Sequence, residues 1–404
     1  MAVKLLARCD FKRLFTFGFP FEAMNRDVKL ICVSNVFGGF GEGLYFYIFP
    51  LYILELKADP IQMGAAVSVL YLVSALTVVP GGFLADKYDR KKVIVFSWFI
   101  WMFTPLIYSF ADNWVQIIPG EVLWGASMIG APAINAYIVT SLGDKERVAS
   151  VLASVWSTYT LSYIFSPAIG GYFATVVGMR WVLRTSFALC VISTSVLFFL
   201  NRQYASPKSD SSKSKSTFEF SHRRKILKWT LFFSAAVFVF YVSRPYVPSF
   251  LKDVASLDDF LVGVFGSVNF LGMTVLGIAF GRLGDKWKKS HVISLCLFLS
   301  AFSYLLLILF PMLPILLFAS FLLGGSSTFG SLISSIVGSV APGASMARWM
   351  SLPQTASMLA ATVAPYLGGP LYVVSPFQPF LVGVLLFPVL ALLAVSKFFR
   401  DETL

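Results

Sequence analysis

Three ionisable side chains lie inside long apolar runs, where charge is costly: Glu42, Glu121 and Arg244. A carboxyl withdrawn from water loses the solvation of its charged form, so it can take up and release protons as water reaches it. An arginine in the same setting can hold an anion or neutralise a carboxylate, and the residues alone leave both open. Spacing sharpens the set. Asn35, Gly38, Glu42, Tyr45 and Phe49 recur in steps of three and four, which is one face of a helix. Glu121, Gly125, Met128, Pro132 and Asn135 do the same. Phe238, Tyr241 and Arg244 follow in steps of three, and Ser327, Ser331 and Ser334 add small polar groups further on. Glu42 is the first choice for a proton-exchanging group and Glu121 the second. Asn35, Tyr45, Asn135, Tyr241 and Arg244 complete the candidate proton-coupling and substrate-binding set. Tyr45, Tyr47, Trp124, Tyr137, Trp156, Tyr159 and Tyr163 would add aromatic surface suited to amphiphilic organic molecules.

The elements that carry these residues must be membrane-spanning. The chain has 404 residues, of which 57% are hydrophobic and only 13% charged. A soluble chain carries about 25% charged residues, so lipid is the solvent for most of this surface. A span needs about twenty apolar residues. Twelve such segments are legible: 28–54, 61–85, 92–111, 114–142, 148–176, 180–200, 229–251, 258–282, 290–310, 312–339, 349–373 and 377–398. Residues 1–27 form a basic N-terminal segment without the uninterrupted apolar core of a signal peptide. Residues 201–228 include Ser211, Ser212, Lys213, Ser214, Lys215 and Ser216, the composition of a flexible linker. Residues 399–404 form a tail. The predicted units are thus a six-helix bundle over 28–200, the linker, and a second bundle over 229–398.

Net charge is +12. The bases cluster between apolar runs and so set topology and touch lipid headgroups; no nucleic-acid partner is implied. Lys12, Arg13, Lys87, Arg90, Lys91, Lys92, Arg223, Arg224, Lys286, Lys288, Lys289 and Lys397 all fall on one side of a twelve-span chain. That side is predicted to be the cytoplasm, with both termini in it. Cys9, Cys32, Cys190 and Cys296 form no CxxC pair, and His222 and His291 lie far from any carboxylate cluster. No metal or other cofactor is expected. No extramembrane segment is long enough for a catalytic domain and no P-loop appears, so an enzyme is not expected.

Two features show duplication. Gly82-Phe83-Leu84-Ala85-Asp86-Lys87-Tyr88-Asp89-Arg90-Lys91 follows the second run, and Gly281-Arg282-Leu283-Gly284-Asp285-Lys286 follows the eighth. Pro167, Gly170 and Gly171 in the fifth run are echoed by Pro365, Gly368 and Gly369 in the eleventh. Both repeats are about half the chain apart, as in transporters built from two similar halves.

On these residues the chain resembles the major facilitator superfamily, nearest its drug/proton antiporter branch. The match to the G-x-L-a-D-r-x-G-r-r loop of that family is at Gly82, Leu84, Ala85, Asp86, Lys87, Arg90 and Lys91, with Asp89 in place of the central glycine. Ser166-Pro167-Ala168-Ile169-Gly170-Gly171 resembles the G-P-x-x-G-G helix-bend motif of the drug antiporters, with Ser166 for the leading glycine. Glu121 stands where many of them carry an arginine. The resemblance implies two six-helix bundles, spans one, four, seven and ten around a central cavity, and Gly82, Asp86, Arg90, Lys91, Gly281 and Asp285 as a cytoplasmic gate. It implies a monomeric, multi-pass carrier in the cell membrane that moves a small organic solute by alternating access. The favoured function is proton-coupled efflux of amphiphilic or drug-like compounds. The rivals are a symporter or facilitator for a small organic anion or nutrient, and a lipid flippase-like or receptor protein of the same fold. If Asp86 latches the cytoplasmic side, Asp86→Asn shifts the population towards cytoplasm-open states. Labelling of cysteines placed on both sides reads this out, and an unaltered pattern counts against the latch.

Overall fold

The computed structural model describes residues 24–142, 148–204, 220–340 and 346–396. The expectations for the N-terminal segment, most of the linker and the tail fall outside these residues. Among the described residues every regular element is a helix. Span one is Arg26–Phe46 followed by Phe49–Glu55, span two Pro60–Lys87 and span three Arg90–Ser109. Span four joins a 3-10 turn at Trp114–Ile117 to Ile118–Ser127, a second 3-10 turn at Met128–Gly130, and Ala131–Ser141. Span five is Val148–Ser162 and Ser166–Val177, and span six Met179–Leu197. Span seven runs Phe220–Ser243, Arg244–Tyr246 as a 3-10 turn, and Val247–Asp253. Spans eight and nine are Asp259–Lys286 and Lys289–Leu309. Span ten is Leu313–Ser326 and Phe329–Val340, span eleven Met346–Val374 and span twelve Gln378–Val395.

Eleven of these helices are long and apolar enough to cross a membrane by length and composition. Span one supplies the twelfth crossing. Its longer segment carries Asp27, Lys29, Asn35, Glu42 and four glycines, and thirteen of its residues are buried against the rest of the protein. A helix enclosed by protein does not need the apolar surface that lipid demands.

The breaks have a chemical cause. In spans one, four, five and seven the helix restarts with proline in its first turn: Pro50, Pro119, Pro132, Pro167 and Pro248. A proline there gives up only an N–H that the helix leaves unpaired anyway. Three of these are the spans that the family resemblance places around the cavity, and a broken helix at mid-membrane is tolerated only inside protein or against water.

The duplication is visible in backbone detail. Spans two and eight are both 28-residue helices, capped at their starts by Asp59 and Asp258. Lys57 and Ser256, each two residues before its cap, are the non-glycine residues with positive φ among the described residues, at 65° and 54°. At the other end Tyr88 (φ −113°, ψ 170°) and Asp89 (−58°, 115°) repeat as Trp287 (−111°, 167°) and Lys288 (−62°, 125°). Asp89 therefore makes the turn without a glycine. Its side chain accepts the Lys91 N–H at 3.1 Å and caps span three.

The two halves meet closely on the side away from the termini. In span five, a Cβ on Gly170 would strike the Leu44 carbonyl of span one, within the same half, and one on Gly171 would strike Asp259 of span eight. In span eleven, Gly368 lies against Val242 of span seven and Gly369 against Pro60 and Ile61 of span two. Each glycine pair thus joins its own half with one residue and the opposite half with the next. The motif read as a helix bend is a close-contact joint: span eleven runs unbroken through Pro365, whose carbonyl accepts the Tyr246 hydroxyl at 2.6 Å. Lys252 adds a bridge across the halves to Glu55 at 3.7 Å and one within its half to Asp259 at 2.8 Å. On the terminal side the repeated motif is open. A Cβ on Gly82 or Gly281 would meet nothing within 4 Å, and Asp86 and Asp285 are exposed. Gly171→Val and Gly369→Val are therefore expected to wedge the far side open. Increased labelling there of cysteines that are protected in the unaltered chain checks this, whereas equal protection would show that the joint tolerates a side chain.

Candidate functional site

Glu42 is 3% exposed and lies inside the N-terminal half. Its Oε2 accepts the Tyr159 hydroxyl at 2.5 Å and its Oε1 accepts the Trp124 indole N–H at 3.3 Å. Trp101 of span three and Tyr163 of span five also face the carboxyl, as does Cys190 of span six. Burying a carboxyl is tolerable only when donors replace its water, and here aromatic side chains supply them.

A cavity lies between the halves. Spans one and two line it with Tyr45, Phe46, Tyr47, Phe49, Pro50, Val67, Leu70 and Tyr71. Spans three and four add Tyr108, Glu121 and Trp124, and span seven adds Tyr241, Arg244, Pro245 and Pro248. Glu121 is 3% exposed, and the Tyr108 hydroxyl faces its carboxyl. Arg244 starts the 3-10 turn of span seven, which aims it across the cavity. Its Nη1 donates to the Tyr241 hydroxyl at 3.1 Å. The guanidinium stands 5.5 Å from the Phe240 and Tyr241 ring centroids and 6.0 Å from that of Phe46, within cation–π range. Tyr71 meets Tyr241 edge to face across the halves at 4.8 Å.

Glu121, Arg244, Tyr45 and Tyr241 thus line one cavity, the first and third from one half and the other two from the opposite half. Glu42 stands one side chain behind the cavity lining, with Trp124 touching both cavity and carboxyl. Two expectations are corrected. Asn35 does not face the cavity: it is buried and donates to the Val155 carbonyl of span five at 3.1 Å. Gly38 packs on Ser193 and Trp101, and Gly125 on the Leu70 carbonyl. A helix enclosed by other helices presents its polar stripe to several neighbours, so one face does not mean one environment. Tyr137 also leaves the aromatic set, because it donates to Asp27 at 2.6 Å and to the Asn201 carbonyl at 2.9 Å near the terminal side. Glu121 forms an ion pair with neither Arg244 nor Arg184. Arg184 stacks on Trp181 and Phe110 at 4.8 and 5.7 Å. Asn135 is exposed towards the terminal side and accepts the Trp156 indole N–H at 2.9 Å. Ser327 and Ser334 bond their own helix at the Gly324 and Gly330 carbonyls.

Sequence reasoning missed Tyr71 and Tyr108 on the wall, and Asp27 and Gln203 at the terminal side. A tyrosine in an apolar run looks the same whether it faces lipid or a cavity, and Gln203 lies in what reads as linker. Gln203 is in fact part of a joint. Arg90, 8% exposed, donates to Thr140 Oγ1 at 2.7 Å and to Gln203 Oε1 at 2.9 Å. Asp89 accepts the Gln203 N–H at 3.0 Å, and Gln203 Nε2 reaches the Tyr137 carbonyl at 3.2 Å. Arg90 therefore ties the start of span three to the ends of spans four and six within one half.

Comparison with known proteins matches this architecture. The Major Facilitator Superfamily model covers residues 31–268 and 234–404. The chain belongs to this superfamily. It is similar to Multidrug resistance protein MdtG of Proteus mirabilis, 28% identical over 284 residues, which span 65% of this chain and 68% of that one. It is also similar to the Multi-drug resistance efflux pump PmrA homolog of Lactococcus lactis, 24% identical over 377 residues, 90% and 92% of the two chains. Among solved structures, a POT family transporter in complex with 5-aminolevulinic acid has the same fold. Its TM-score is 0.79 at 13% identity, covering 94% of this chain and 97% of that one. Membership of this superfamily makes the chain a multi-pass membrane transporter and not an enzyme. The Arg90 joint is expected to stabilise the N-terminal half of this transporter. Arg90→Lys, which cannot reach Thr140 and Gln203 together, should cost about 2 kcal/mol. A lower thermal midpoint of the purified protein in detergent checks it.

Proposed function

We propose that this superfamily member exports amphiphilic, drug-like organic compounds across the cell membrane in exchange for protons. One observation carries the reading: a carboxyl and a guanidinium, Glu121 and Arg244, stand unpaired with each other in one aromatic-lined cavity between the two halves. The broad, mostly apolar surface accepts varied amphiphiles, and a few polar groups fix their orientation. Glu42, just behind the wall, is the proton-coupling group, and Glu121 the second. A relative named as a multi-drug resistance efflux pump homolog supports the direction.

Alternating access is supported by the joint. Contact on the far side with an open motif on the terminal side is one of two conformations that such a joint allows. The terminal side is the cytoplasm in this reading, because the bases gather there. Gly82, Asp86, Lys91, Gly281 and Asp285 form the cytoplasmic gate, whereas Arg90, expected from the sequence to belong to it, is held within its own half. The carrier works as a monomer in contact with membrane lipids, and residues 28–200 and 229–398 move as its two bundles.

A specific observation favours a second reading, proton symport of a small organic anion. Arg244 is partly exposed in the cavity whereas Glu121 is buried, so the accessible charge on the wall is positive. Proteoliposomes decide between the readings. With ethidium as probe and an imposed pH gradient, the unaltered protein should accumulate it against its gradient. Glu42→Gln should reduce driven accumulation by about tenfold or more while leaving downhill exchange in place. Undiminished driven transport by Glu42→Gln would remove that residue from coupling. Driven accumulation of benzoate with protons, and none of ethidium, would establish the symport reading instead.

A further inference from the structure

Glu42 does not line the cavity, so a solute held there does not touch it. A proton on Glu42 can influence the solute only through a side chain that meets both. Trp124 is that side chain. Its ring forms part of the cavity wall, and its indole N–H donates to Glu42 Oε1 at 3.3 Å. We propose that Trp124 is the positioning residue that conveys the protonation state of Glu42 to the solute cavity. The inference rests on the reading of Glu42 as the proton-coupling group.

The physical basis is the difference between an ionised and a neutral acceptor. A hydrogen bond to a carboxylate is about twice as strong as one between neutral groups. Tyr159 holds the other oxygen at 2.5 Å from span five, so protonation of Glu42 weakens the longer indole bond first. The released ring turns into the cavity and reduces the space for the solute. Proton and solute then exclude each other, which is the sign that exchange requires. The local fold suits such a relay. Trp124 lies on Ile118–Ser127, ten residues between two 3-10 turns, so the segment has a break at each end. Glu121 is three residues earlier, on the same face, and is therefore brought under the same control. Among the other groups facing Glu42, Tyr163 and Cys190 are uncharged at neutral pH, and Trp101 does not titrate. Glu121 and Arg244 are the ionisable groups that line the cavity with Trp124.

The test is fluorine NMR of the full chain labelled with 5-fluorotryptophan in lipid nanodiscs, the Trp124 signal being assigned by its loss in Trp124→Phe. On acidification this signal should move, and in Glu42→Gln it should sit at its acid position at every pH. In Glu121→Gln the titration should persist. A Trp124 signal insensitive to pH would overturn the proposal, and so would one that titrates unchanged in Glu42→Gln or stops titrating in Glu121→Gln. The unaltered protein alone already supplies the first of these outcomes. Transport separates this inference from the functional reading. If Trp124→Phe lowers the ratio of pH-gradient-driven accumulation to downhill exchange of ethidium by at least about fivefold, the relay stands. Full driven accumulation by Trp124→Phe overturns the relay and leaves proton-coupled export intact. A titrating Trp124 in a protein that shows no driven transport sinks the export reading and leaves the relay.

Discussion

A carboxyl held away from both water and lipid sets the terms for the N-terminal half. A carboxyl buried as deeply as Glu42 is tolerable only where donors replace its water. Those donors come from spans four and five, and Trp101 of span three faces the same group. The half therefore closes around span one from several sides. Enclosure in turn lets span one carry four glycines and several polar residues that lipid would not accept. Changes at Glu42 reach the cavity wall because Trp124 belongs to both environments.

The second constraint is backbone proximity. Gly171 against Asp259 and Gly369 against Pro60 bring helices of opposite halves into contact without intervening side chains. Small residues are what helices in lipid use to approach closely, since apolar surface gains nothing there. The adjacent Gly170 and Gly368 lock the same helices to spans one and seven of their own halves. Spans one and seven carry Tyr45 and Arg244, so the joint that brings the halves together is continuous with the helices that shape the cavity. A motion about the joint must change the wall.

Electrostatics at the wall differ from the usual expectation for opposite charges in one cavity. Arg244 is stabilised by three aromatic faces and a tyrosine hydroxyl, and Glu121 by Tyr108, so each is satisfied separately. Two ionisable groups with private partners remain available to a third party. A mutual salt bridge would have been a packing element, and breaking it would have cost several kcal/mol.

Composition, run length and the repeat of Asp86 as Asp285 determined, without coordinates, that this is a two-half, twelve-span transporter. Those signals are local: about twenty apolar residues make a span wherever they pack, and a turn between helices needs the same caps in both halves. The carboxyls and the arginine were also legible, because charge in an apolar run stands out by type alone. What a helical face meets was not legible. Asn35 and Glu42 lie on one stripe, yet one bonds a backbone carbonyl of span five and the other an aromatic ring of donors. Gln203 reads as linker and joins a buried network, and Tyr71 and Tyr108 read as apolar filling and line the cavity. Periodicity specifies direction around one helix axis. Only the packing of several helices decides whether that direction leads to lipid, to protein or to the cavity.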